Sequence, residues 1–151
     1  MKRFAFYIAV LFLTFACSVA ATKLYFSWHI QFECTALFGI IVPPDGSGRG
    51  ASYKSFDGVK LSSTSSTFPS RQSADSALQT SLREATEIIE RKPLHNDAGE
   101  TIGERVIAKF PPNEIATDGY ISILALENDR VFEIASTSLR HAIAFENGVP
   151  W

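Results

Sequence analysis

From Leu24 to Phe38 apolar residues fall on every even position: Leu24, Phe26, Trp28, Ile30, Phe32, Cys34, Ala36 and Phe38. The odd positions between them carry Lys23, Tyr25, Ser27, His29, Gln31, Glu33 and Thr35. Successive side chains of a strand point to opposite faces, so the alternation predicts one long strand with a dry even face and a wet odd face. Cys34 is thereby expected on the dry face, where apolar burial suppresses thiol reactivity. His29 and Glu33 share the wet face about 13 Å apart, too far for a direct partnership. The same pattern expects Trp28→Asp to unfold the domain and Ser27→Asp to be tolerated.

The apolar run continues through Gly39-Ile-Ile-Val until Pro43-Pro44. Pro43 to Gly50 reads as a mobile loop by composition. Its glycines and Arg49 invite comparison with a phosphate cradle, but no Gly-Lys-Ser/Thr ending occurs and no helix is expected to follow. Asp57-Gly58, between Tyr53 and Leu61, predicts a hairpin with a two-residue type I′ turn. Ser62 to Thr67, six hydroxyl residues in a row, is expected to be a linker or poorly ordered connection rather than an edge strand.

Ala74, Ala77, Leu78, Leu82, Ala85, Ile88 and Ile89 recur at steps of three and four, which predicts a long helix. Pro69, Ser70 and Ser73 supply its entry, Arg91 and Lys92 its last turn, and Pro93 its stop. Arg83, Glu84, Glu87 and Glu90 would then form its solvated face. Two hairpins are expected next. One turns at Asn96 to Gly99, with arms at Lys92 to His95 and Thr101 to Phe110. The other turns at Asn128-Asp129 between Tyr120 to Leu126 and Arg130 to Ala135. The Tyr120 arm is apolar on both faces, as expected of a central strand covered on each side. A short helix from Thr137 to Glu146 follows, capped by Ser136 or Ser138 and closed by a left-handed Asn147-Gly148. Strands grouped between helices and joined by hairpins imply an α+β fold: an antiparallel sheet with one long and one short helix packed on one face.

The first 21 residues follow a different rule. Met1-Lys-Arg is a positive start, Phe4 to Ala16 an apolar stretch, and Ser18-Val-Ala-Ala a run of small residues; 17 of the 21 are apolar. That is the three-part pattern of a secretory signal, with cleavage expected near Ala20 or Ala21. The alternatives are an uncleaved anchor spanning Phe4 to Ala21 and acylation at Cys17. Residues 22–68 then form an N-terminal β segment and residues 69–151 a helix-hairpin-hairpin-helix core, the two together making one domain. Without the leader, 12 Lys and Arg face 16 Asp and Glu, which excludes a basic nucleic-acid binder. Cys34 is left without an intramolecular disulfide partner in an oxidising compartment.

Candidate chemistry is sparse. His29, His95 and His141 are the only histidines, and no Gly-x-Ser-x-Gly accompanies them. Triads on paper combine Cys34 or a serine with His141 and Asp97. His95, Asp97 and Glu100 are the one cluster of ligand types, and they read more simply as turn and strand residues. His141 is expected to be a partly buried, hydrogen-bonded residue of the terminal helix. Trp151 and Pro150 are expected to pack back on the domain. No catalytic, cofactor-binding or metal-ligating residue is assigned, and no cofactor. The expected function is a non-catalytic binding or structural module of the cell envelope or extracellular space, with a protein or a small ligand as partner. The alternatives are a small secreted hydrolase or thiol enzyme using Cys34 or His141 with carboxylates, and a membrane-tethered envelope component.

Overall fold

Short turns organise the chain into hairpins, and the hairpins assemble into one sheet. The computed structural model describes residues 30–43, 45–113 and 116–148. The expectations for the leader, for Trp28 and His29, and for Pro150 and Trp151 lie outside these residues. In chain order the elements are β1 (Phe32–Val42), β2 (Gly46–Ser55), β3 (Lys60–Thr67), α1 (Arg71–Arg83), β4 (Glu87–His95), β5 (Thr101–Phe110), β6 (Tyr120–Glu127), β7 (Arg130–Ser136) and α2 (Leu139–Gly148). The seven strands form one sheet in the order β1-β2-β3-β7-β6-β5-β4, and every neighbouring pair is antiparallel. The described part of the 22–68 segment therefore shares its sheet with the rest of the chain, and the class is α+β.

The turns follow local chemistry. Gly99 at φ +80° closes the Asn96 turn, where the Asn96 side-chain oxygen accepts from the backbone N–H groups of Ala98 and Glu100. Asn128 at φ 55° turns β6 into β7, a conformation its short polar side chain tolerates. The Asp57-Gly58 hairpin is present between β2 and β3, but its connection is four residues long rather than a two-residue type I′ turn. Gly58 takes the left-handed dihedral (φ +88°) while Asp57 does not. The Ser55 hydroxyl accepts from Val59 N–H and organises the longer loop.

Two segments expected to be irregular are strands. Gly46 to Gly50 belongs to β2, and the Ser/Thr run is β3, held between β2 and β7. The glycines are space-makers here. A Cβ on Gly50 would lie 2.2 Å from the Phe38 ring, and one on Gly48 would lie 1.9 Å from the Ser65 carbonyl oxygen. Composition suggested a loop because the rings that cover Gly46 and Gly50, those of Phe68 and Phe38, come from other parts of the chain.

The long helix is also shorter than expected. Ser70 caps α1, its side chain accepting from Ser73 N–H, and the helix ends at Arg83. Thr86 N–H then donates to the Lys109 carbonyl oxygen at 2.8 Å, and residues from Glu87 onward pair with β5. Ile88 and Ile89 fit the helical spacing, yet these β-branched residues lie in a strand. Pro93 is accommodated because β4 is an edge strand, where a missing N–H costs no ladder bond. Glu87 and Glu90 accordingly leave the supposed helix surface and pair with Lys109, and with Lys92 and Arg105.

The helices lie on opposite faces of the sheet, not on one. Ala74, Ala77 and Leu78 of α1 pack on Val106, Ala108, Phe110, Leu124 and Leu126. Ala142 and Phe145 of α2 pack on the alternate residues Ile107, Ile123 and Ile134, together with Leu61. Because neighbours along a strand point oppositely, the two clusters occupy the two sides. The prediction that β6 is covered on both faces holds for this reason. At the end of α2, Gly148 is still helical and has no positive φ, so no left-handed cap occurs there.

Candidate functional site

A β-bulge at the sheet edge places Thr35 at the border of a wide cleft. The pairing of β1 with β2 shifts between Cys34 and Ala36, leaving Thr35 as the extra residue. Bulges re-aim side chains, and Thr35 here borders the cleft, with its hydroxyl donating to the Ser52 carbonyl oxygen at 3.1 Å. The bulge also reverses the alternation. Phe32 and Cys34 share the α2 side, whereas Phe38 and Val42, also even-numbered, stand on the α1 side. The expected dry even face is not formed: β1 is an edge strand exposed over most of its length, and Cys34, Ala36 and Phe38 are all exposed.

The cleft encloses about 920 Å³ on the α1 side of the sheet, beyond the area covered by α1. Its bed is formed by Ser52, Ser62, Ala135 and Glu133, with Tyr120 at one wall and Lys54 and Lys60 toward the β2–β3 turn. Small Ser and Ala side chains on adjacent strands leave this volume open. Tyr120 stacks on Phe110 with ring centroids 5.1 Å apart. Burial, followed by the charges of Glu133 and Glu84, pushes its phenol above the ordinary range, so it remains a neutral hydroxyl.

Glu133 is the distinctive group. It stands on β7 between Val131 and Ala135, the three sharing one face, and the Ser122 hydroxyl donates to its Oε1 at 2.7 Å. Ser122 itself is fully buried. Protein surrounds the Glu133 carboxyl on its other sides while the cleft leaves it partly accessible. Burial pushes this carboxyl above the ordinary glutamate range, and the Ser122 bond offsets part of that effect. A carboxyl that resists ionisation in the fold destabilises it once ionisation is required. That loss is absent at low pH and grows as pH rises above the ordinary value of 4.5. Glu133→Gln keeps an oxygen for Ser122 and removes the charge. Its melting temperature should match wild type near about pH 4 and exceed it near about pH 8. Equal melting at both would mean the carboxyl is not desolvated.

The predicted candidates are placed as follows. His141 is hydrogen-bonded, as expected, and more deeply buried than expected, and it bridges two elements. Its Nδ1 lies 2.8 Å from the Ser138 hydroxyl, and its Nε2 lies 3.0 Å from Asp57 Oδ1. With Nε2–H donating to Asp57, Nδ1 is left to accept from Ser138. The Ser55 hydroxyl also donates to Asp57 at 2.5 Å. The bonds from Ser55 and then His141 hold the Asp57 carboxyl below its usual range. The structure thus joins His141 to Asp57 and Ser138, not to Asp97 or Cys34. Phe32 meets the His141 ring edge-on at 6.3 Å, and the chain of bonds ties α2 to the β2–β3 turn. His95 and Glu100 are engaged locally, by Thr101 and Asn96. Among the described residues no three His, Cys, Asp or Glu side chains converge as a metal-ion group. No helix among them is long and apolar enough to cross a membrane.

Sequence inspection missed Glu133. The available signal was an acid flanked at i−2 and i+2 by Val131 and Ala135 within a predicted hairpin arm, which places a carboxyl on a face that should be dry. Comparison with protein families, curated sequences and solved structures found no match.

Proposed function

We propose that the protein is an exported, non-catalytic binding module and that the cleft over Glu133 is its ligand site. The observation that carries this reading is a desolvated carboxyl at the bed of an open, hydroxyl-lined cleft. The carboxyl resists ionisation there, and a ligand that pairs with it reverses that burden. Export rests on the leader pattern of Met1 to Ala21. Intact mass of the exported protein should begin at Ala21 or Thr22. Retained Met1, or lipid on Cys17, would instead make it a membrane-tethered component.

The binding test is an amide NMR titration of the exported protein with a library of small polar fragments. Perturbations should concentrate at Ser62, Tyr120, Glu133 and Ala135. Fragments that perturb other surfaces and leave these four unmoved would refute the site. The Asp57–His141–Ser138 chain favours a second reading, a small hydrolase with Ser138 as nucleophile and His141 as its base. Covalent labelling of Ser138 by a fluorophosphonate would move the assignment to that reading.

A further inference from the structure

We infer that the cleft takes a short zwitterion, its cationic end against Glu133 and its carboxylate at Lys54 and Lys60; this rests on reading the cleft as a ligand site. Ser122 is the hydrogen-bond partner of Glu133, and among the described residues no cation pairs with the carboxyl. No buried oxygen of this group is left unbonded, so the atom not bonded to Ser122 reaches the cleft. An ammonium or guanidinium at that point forms a charge-assisted hydrogen bond and restores the ionised carboxylate.

The opposite end has the opposite sign. Lys54 and Lys60 are direct register partners across β2 and β3, both are exposed, and among the described residues neither is in an ion pair. Asp57 lies at the same end and its bonds from Ser55 and His141 keep it ionised, so it offsets one of the two lysine charges and leaves that end positive. Between the two ends the bed is neutral: Ser52, Ser62 and Ala135.

Spacing selects the ligand length. Glu133 pairs with Thr64, which lies four residues from Lys60 on the same strand. At about 3.3 Å per residue the two charged ends are about 13 Å apart along the sheet, and a flexible lysine side chain shortens the gap. An extended peptide advances at most about 3.6 Å per residue, so a tripeptide of about 10 Å with free termini spans it. A single amino acid reaches one end only.

The probe is trialanine, titrated by amide NMR into the exported protein and compared with N-acetyl-trialanine and trialanine amide. Trialanine should perturb Glu133 and Lys60 together, and each blocked peptide should bind at least about tenfold more weakly. In Glu133→Gln, with its spectrum otherwise unchanged, trialanine should fall to the level of the acetylated peptide. Equal binding of free and acetylated trialanine would overturn the cationic end. Fragments that move the cleft residues while no peptide does would overturn the zwitterion and leave the cleft as a site. If no compound moves those residues, both readings fall.

Discussion

Leu78→Ala should destabilise the protein by about 2–5 kcal/mol, the range for deleting a fully buried leucine side chain. Leu78 has no exposed surface and lies at the centre of the contact between α1 and the sheet. The loss combines the transfer term with the cavity left against Val106 and Leu124, which rigid strands cannot close. For a domain of this size the melting temperature should drop by roughly 10–15 °C. Ser76→Ala, on the exposed side of the same helix, is the control and should stay within about 0.5 kcal/mol of wild type. Similar melting of the two variants would mean that α1 does not pack through Leu78.

Arg105→Met should cost roughly 2–4 kcal/mol, by a different mechanism. The Arg105 guanidinium makes two parallel bonds to Glu146, at 2.5 and 2.6 Å, and a third to Glu90 at 2.6 Å. It joins β5 to the end of α2 and to edge strand β4. Only 10% of the Glu146 side chain is exposed, so removing its partner leaves a poorly solvated charge. Glu90 retains Lys92 and suffers less. The partial exposure of Arg105 places the cost toward the lower end of what buried pairs show. Denaturant unfolding measures it. The double variant Arg105→Met, Glu146→Leu should recover most of the loss, because an apolar pair leaves no stranded charge. A single-variant cost below about 0.5 kcal/mol would show that the bidentate pair contributes nothing to the fold.

The hairpins were legible because their causes are local. Asn96 to Gly99, Asn128-Asp129 and Asp57-Gly58 carry residues whose own dihedrals and side-chain bonds make a turn, whatever surrounds them. That residues 32–42 form a strand was legible for the same reason, but not which of its faces is covered. What could not be read was the bulge at Thr35, which depends on how β2 meets β1, and the exposure of edge strand β1, which leaves Cys34 open although it shares its side of the sheet with Phe32. The boundary between α1 and β4 was hidden because Ile88 and Ile89 satisfy both a helical stripe and a strand. Pairing with β5 decided it, in hydrogen bonds to residues about twenty positions further along.

The candidate site was less legible than the fold. Each part of the cleft comes from a different strand, and its volume exists because Ser52, Ser62 and Ala135 happen to be adjacent in register. Glu133 and Ser122 are 11 residues apart and meet only when β6 and β7 pair. His141 meets Asp57 across 84 residues, a partnership no spacing rule would have found.

By itself, then, the sequence determined where the Asp57, Asn96 and Asn128 hairpins turn, their antiparallel connectivity and the leader pattern, all of which depend on residues a few positions apart. The tertiary structure alone decided the assignment of helices to opposite faces, the recruitment of the Ser/Thr run into the middle of the sheet, and the seclusion of Glu133. Each of these depends on hydrogen bonds and packing between distant segments. Such interactions form only when a strand has found its neighbour, and the same residues in isolation are compatible with more than one outcome.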